Sequence, residues 1–155
     1  MIGVMESTIE TVRRVSSELR PGVLDDLGLV AAIEWHAQQF QQRTGITCRC
    51  EPPAALLDVG RDQATAVFRI FQEILTNVLR HAQATAVDIR MLEGEGAFVL
   101  EVSDNGRGIR DDEARNPRSL GLLGMRERTY LVGGEVTIRG AIGTGTRVIV
   151  RVPIA

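Results

Sequence analysis

A carboxylate, an amide and a guanidinium recur at helical spacing in the run Phe71-Gln72-Glu73-Ile74-Leu75-Thr76-Asn77-Val78-Leu79-Arg80-His81. On a helix, Glu73, Asn77 and Arg80 stand at i, i+4 and i+7 and share one face, while Val67, Phe71, Ile74, Leu75 and Val78 fill the other. A polar row above an apolar base suits a metal-bound triphosphate, because Glu and Asn oxygens are hard ligands for Mg²⁺ and Arg forks onto phosphate oxygens. A solvated outer face accounts for the same spacing on an ordinary amphipathic helix. The chain beyond His81 separates the two. Three glycine segments come next, in the order Asp104-Asn105-Gly106-Arg107-Gly108, Gly121-Leu122-Leu123-Gly124-Met125 and Gly143-Thr144-Gly145-Thr146. Each alone is an ordinary turn, since Gly and Asn accept positive φ.

Together and in this order, the segments resemble the boxes of the catalytic ATP-binding domain of sensor histidine kinases, in the superfamily that includes gyrase, the heat-shock 90 chaperones and the mismatch-repair ATPases. Residues 73–81 look like the N box, 104–108 the G1 box, 121–125 the G2 box and 143–146 the last glycine box. Leu19-Arg20-Pro21, followed by Leu24-Asp25-Asp26-Leu27-Gly28-Leu29, is similar to the connector between dimerisation helices and ATPase domain in the nitrate-sensor-like branch. Gly121-Leu122-Leu123-Gly124-Met125-Arg126-Glu127-Arg128 is typical of the same branch. The resemblance covers nearly the whole chain.

It implies ATP and Mg²⁺ as cofactors and a role for each box residue. Asp104 would accept a hydrogen bond from the adenine amino group, which a fixed carboxylate favours over the carbonyl that guanine offers there. Gly106 and Gly108 let the backbone approach the nucleotide, with Asn105 and Arg107 completing the box. Arg107 either reaches a phosphate or stands as a solvated loop cation. Asn77 is the first choice for Mg²⁺, through its amide oxygen, with Arg80 near the phosphates. His81 either joins them or closes the helix C-terminus, where His is favoured. Many of these kinases carry Asn where Glu73 stands, whereas hydrolysing members of the superfamily use Glu there as a general base. Binding metal through water, assisting proton transfer and supporting slow hydrolysis are all compatible with Glu73, so Glu73 and Asn77 are the expected catalytic pair. Gly121 and Gly124, with Leu122 and Met125 in the same box, would open a helix whose N–H groups face the phosphates. Gly143, Gly145 and Thr146 would shape the far side of the pocket.

The elements that must position these groups can be read from periodicity. Met5, Ile9, Val12, Val15 and Leu19 form one apolar seam ending before Pro21. By resemblance, residues 1–20 are the end of the second dimerisation and phosphotransfer helix, 21–45 a connector and first covering helix, and 46–155 the ATP-binding domain, with 21–155 folding as one unit. Asp25 or Asp26 is placed to cap the covering helix, which runs to about Thr44, turns Leu29 or Val30, Ile33, Ala37 and Phe40 inward, and ends at Gly45. Strands are expected over 46–50, 87–91, 98–102, 135–139 and 147–152, and the N-box helix over 60–81. The fold class is therefore an α/β two-layer sandwich, with a mixed, largely antiparallel sheet of about five strands covered on one face by about three helices. The charged loop 107–120, broken by Pro117, corresponds to the flexible ATP lid.

Composition narrows the partners. A chain of 155 residues with net charge −2, one Trp and one Tyr has neither the basic stripe nor the stacking residues of a nucleic-acid surface. No apolar run approaches the roughly 20 residues that cross a bilayer, so the fragment should be soluble and cytoplasmic, without membrane insertion of its own even if a full-length parent is anchored. Cys48 and Cys50 flank Arg49 without further ligands nearby and are expected to be buried on a strand.

His36 and His81 are the two histidines, and neither sits in the expected phosphoacceptor motif of a His followed by an acidic residue. Autophosphorylation in cis is not expected. The favoured reading is a catalytic fragment that transfers the ATP γ-phosphate to a histidine on a dimerisation segment absent from this chain, for relay to the receiver domain of a response regulator, in a full-length protein able to form a homodimer. An anti-sigma-factor-type serine or threonine kinase is the first alternative, and the Leu-Arg-Pro connector has no place in it. A non-catalytic nucleotide-gated interaction module is the second, to be separated by turnover.

Overall fold

In the computed structural model, the residues described are 22–55, 57–108, 120–141 and 143–154. The first elements are helices α1 (Gly22–Leu27) and α2 (Leu29–Thr44), strand β1 (Thr47–Glu51) and helix α3 (Arg61–Asn77). A π-helical turn (Val78–Ala82) extends α3, followed by β2 (Ala86–Gly94), β3 (Ala97–Asp104), helix α4 (Leu120–Leu131), β4 (Glu135–Ala141) and β5 (Gly145–Pro153). The sheet order is β1-β2-β3-β5-β4, with β1 and β2 parallel and the remaining pairs antiparallel. This is the expected mixed sheet of five strands in an α/β sandwich.

The parallel pair follows from length. Chain leaving β1 must cross back over the sheet before β2 can lie beside it, and α3 is the crossover that covers the face. The β2–β3 connection is a two-residue turn in which Glu95 (φ 52) and Gly96 (φ 74) both adopt positive φ, the conformation that matches strand twist. One core joins the layers: Ile33 and Phe40 of α2, Val67, Phe71 and Leu75 of α3 and Met125 of α4 pack in the same cluster as Ile89, Leu100, Val102 and Val150 of the sheet. Every apolar position expected on the inner face of the N-box helix is buried.

Three expectations need correction. Asp25 and Asp26 do not cap the covering helix, because they lie inside α1. Gly28 takes φ 86 and divides the two helices, and α2 starts behind it without a side-chain cap, so four helices stand among the described residues. Gly45 does close α2 in the left-handed conformation, its N–H on the Gln41 carbonyl. The N-box helix keeps α geometry to Asn77 and then widens into the π turn, with the Val78 N–H shared between the Ile74 and Leu75 carbonyls. Cys48 and Cys50 are half-buried on edge strand β1, where burial raises both thiol pKa values, Cys50 to about 11 with Glu34 and Cys48 adding to it. The apolar seam of residues 1–20 and most of the lid lie outside the described residues.

Candidate functional site

Antiparallel pairing brings the first and last glycine boxes together. Ser103 of β3 is in register with Arg147 of β5, so the strand end that carries Asp104 lies beside Gly145 and Thr146. Asp104 Oδ1 accepts the Gly106 N–H at 2.9 Å and the Thr146 N–H at 3.3 Å. Two backbone donors therefore fix the carboxylate and leave Oδ2 as its outward acceptor among the described residues. Gly145 has φ 89, and a Cβ there would overlap the Asp104 carbonyl oxygen. Only glycine fits this crossing. The Gly143 N–H donates to the Arg107 carbonyl at 2.8 Å, closing the same loop pair from the other side. Gly106 and Gly108 are both buried in it.

Asn105 has a different task from the one its box suggests. Its Oδ1 accepts the N–H groups of Thr85 and Ala86 at 2.9 and 3.0 Å, and its Nδ2 donates to Thr85 Oγ1 at 2.9 Å. The side-chain amide thus stitches the G1 loop to the start of β2, just beyond the N-box helix, where Gln83 takes the left-handed conformation (φ 54). Thr85 is the residue that the sequence reading missed. A threonine before a strand carries no signal of a partner 20 positions away.

On α3, Glu73 and Asn77 are half-buried on the face opposite Phe71, Ile74 and Leu75. Among the described residues no protein group hydrogen-bonds either side chain. Arg80 leaves from the π turn and is exposed, since i→i+5 bonding changes the angle at which it departs. His81 belongs to the same turn, and its imidazole lies outside the described side chains. On α4, Gly121 and Gly124 fall in the first turns, Leu122 and Met125 turn inward at 8% and 1% exposure, and a Cβ on Gly124 would meet nothing within 4 Å. Leu122 and Met125 form an apolar wall, and open space remains beside Gly124. Arg107 is exposed at the start of the lid.

His36 of α2 packs against α3. Its ring meets Phe68 and Phe71 edge-on, with centroids 5.6 and 5.8 Å apart. Burial first, and the Arg43 charge second, lower its pKa to about 4, so the imidazole is neutral at pH 7 and packed under the N-box helix.

A carboxylate fixed among glycine turns, together with a helix face that carries two oxygen-bearing side chains without protein partners, is the residue set of an ATPase built on an α/β sandwich. Residues 62–155 match the histidine kinase-, DNA gyrase B-, and HSP90-like ATPase family, and the chain belongs to it. Over 152 residues it is 39% identical to the oxygen sensor histidine kinase NreB of Staphylococcus carnosus, covering 98% of this chain and 44% of that protein. The chain thus spans less than half the length of this relative. Among solved structures, the histidine kinase domain of the Erythrobacter litoralis EL346 blue-light activated histidine kinase superposes with TM-score 0.70 at 26% identity, over 81% of this chain and 61% of that one. The Acinetobacter baumannii histidine kinase AdeS shares the fold, at TM-score 0.69 and 12% identity, over 99% and 83% of the two chains. The chain is an ATP-binding domain of the sensor histidine kinase type. Among the described residues, no helix is long and apolar enough to cross a membrane.

Proposed function

We propose that this chain holds Mg-ATP between α3 and the paired glycine boxes and passes the γ-phosphoryl group to a histidine other than its own two. The observation that carries the reading is the Asp104 carboxylate, with Oδ1 held by Gly106 and Thr146 and Oδ2 left to select adenine through its amino group. Asn77 and, through water, Glu73 would hold Mg²⁺, and the fit rests on two oxygen-bearing side chains without protein partners on one helix face. When bound, the ion supplies charge neutralisation at the phosphates. Arg80, on the π turn after α3, would fork onto phosphate oxygens, and Leu122 and Met125 would keep water from the base. Transfer breaks the bond from the γ-phosphorus to the β–γ bridging oxygen, leaves the electron pair on ADP, and forms a P–N bond to an imidazole nitrogen. Positioning and charge neutralisation supply most of the rate.

The acceptor would lie on a dimerisation segment of the parent kinase, with a response-regulator aspartate as the next carrier, and cytoplasmic ATP fixes the compartment of this reading. His36 is unsuited to be the acceptor because its ring is half-buried and packed edge-on against Phe68 and Phe71. The match to a sensor kinase over 98% of the chain includes the Leu-Arg-Pro connector, which supports a sensor kinase over an anti-sigma-factor type. Calorimetric titration with Mg-ATP and Mg-GTP tests the site, with saturable ATP binding and no GTP response expected. Incubation with γ-labelled ATP and the parent's dimerisation segment tests the chemistry. Acid-labile label on that segment is expected, and ATP binding without any label on it would leave only a nucleotide-gated module.

A further inference from the structure

The face of the sheet opposite the helices carries its side chains in cross-strand rows. One row runs through Arg49, Asp88, Ser103, Arg147 and Arg139, crossing all five strands in register. Its neighbour runs through Glu51, Arg90, Glu101, Ile149 and Thr137. Elsewhere on this face arginines meet carboxylates: Arg49 with Asp88 at 3.9 Å, Arg90 with Glu51 at 3.4 Å and Arg151 with Glu95 at 3.5 Å. The pattern fails at the β4–β5 end of the first row. Arg139 and Arg147 stand directly opposite each other, a like-charge pair that costs a sheet stability. Among the described residues neither has a carboxylate partner, and Arg147 Nε donates instead to Ser103 Oγ at 3.3 Å. Two cations are held together in a chain whose net charge is −2. Beside them lies a cavity of about 370 Å³, whose lining includes Ser103, Arg139, Thr144, Thr146 and Arg147 and also Asp104, whose Oδ1 already accepts two backbone N–H groups.

We propose that this pocket is an oxyanion site for a small polyvalent phosphate, from orthophosphate to pyrophosphate in size. Two guanidinium groups and neighbouring hydroxyls are the donors that phosphate oxygens accept from, and the volume is at the small-ligand end of protein pockets. Glu73 and Asn77 do not line this cavity, whereas Asp104 and Thr146 border both it and the paired glycine boxes. Strand alternation sends the Ser103, Arg139 and Arg147 side chains to the open face, away from α3. A bound anion would relieve the repulsion that the bare sheet carries there.

The test is titration of the whole chain, without Mg²⁺, with pyrophosphate, orthophosphate and citrate, read by backbone amide NMR shifts. Saturable pyrophosphate shifts are expected at Ser103, Thr144, Gly145 and Arg147. The double variant Arg139→Gln, Arg147→Gln should bind at least about tenfold more weakly, since charge-assisted hydrogen bonds are lost, whereas Arg90→Gln, in the neighbouring row and paired with Glu51, should bind as the parent does. Both arginines are exposed and mutually repelling, so the double variant should melt no lower than the parent. Pyrophosphate shifts confined to residues 78–80, unchanged affinity in the double variant, or no saturation in the parent would each overturn the proposal. Citrate binding as tight as pyrophosphate would overturn the phosphate assignment, reducing the site to a general anion trap.

Discussion

At the end of the site proposed to take the base, Asp104 is gripped by the Gly106 and Thr146 N–H groups and backed by Gly145, whereas along α3 the Glu73 carboxylate and Asn77 amide have no protein partner among the described residues. The contrast matches what each end has to do. A base must be discriminated, and discrimination needs an acceptor whose position is set before the ligand arrives. Phosphates bring their own charge and counterion, so donors facing them stay free until both arrive. Substitutions that break a backbone contact at the base end should therefore disturb the fold as well as binding, and substitutions along α3 should disturb binding alone.

The largest effect is expected at the crossing of the two glycine boxes. Gly145→Ala must both accept φ 89 and move the Asp104 carbonyl, at a cost of roughly 3 kcal/mol from backbone strain plus overpacking. Urea denaturation measures it, and a loss below about 0.5 kcal/mol would show that the two boxes are not in contact. Next comes Asp104→Asn. With its Oδ1 still taking both backbone donors, Asn presents NH₂ where the adenine amino group needs an acceptor. Loss of that bond and a donor facing a donor amount to about 2–3 kcal/mol, or roughly 30- to 150-fold in ATP affinity, with stability nearly unchanged. A variant that binds ATP like the parent would remove adenine selection from Asp104.

How much of this was legible before the structure depends on the range of each signal. Asp104 and Gly145 stood out by residue type and order, because positive φ and a fixed carboxylate are demands that few residues meet. The helix-covered sheet followed from periodicity. The box of Asn105 says nothing of Thr85 and Ala86, which its amide joins by bonds between residues 19 and 20 positions apart that no local pattern encodes. The division of the covering helix at Gly28 was within reach, since glycine between two leucines can take the φ of 86 it has here. The π turn after Asn77 was not, because it depends on how one N–H is shared between two carbonyls. The Arg139–Arg147 pair needed strand register, which only the folded sheet supplies.

His36 offers a way to load one end of the groove and not the other. It packs on Phe68 and Phe71 under α3, far in sequence from the glycine boxes, and its pKa falls from 6.5 to about 4 in the fold. A histidine with a depressed folded pKa is protonated more readily in the unfolded chain. Stability from this group is therefore complete above pH 6.5 and declines as pH falls from 6.5 toward 4. At about 1.4 kcal/mol per pH unit this approaches 2 kcal/mol between pH 6.5 and 5. Melting of the parent against His36→Leu over that window should show a steeper fall for the parent. If the two slopes agree, the imidazole is not desolvated in the fold.

Asn77→Ala carries the smallest expected free-energy change and the sharpest separation of the two ends. Its side chain holds nothing in the protein, and Ala is the better helix former, so the variant should melt at or slightly above the parent temperature. ATP affinity should nevertheless fall about tenfold in the presence of Mg²⁺, close to 1.4 kcal/mol, and little in its absence, because the lost amide oxygen serves the ion. Calorimetry of both proteins, with Mg²⁺ and with a chelator, gives the four affinities required. An equal loss in both conditions would place Asn77 on the phosphates themselves and leave Glu73 as the residue nearest the ion. A drop in melting temperature would mean that the amide has a structural partner, and the two ends of the groove would then be built alike.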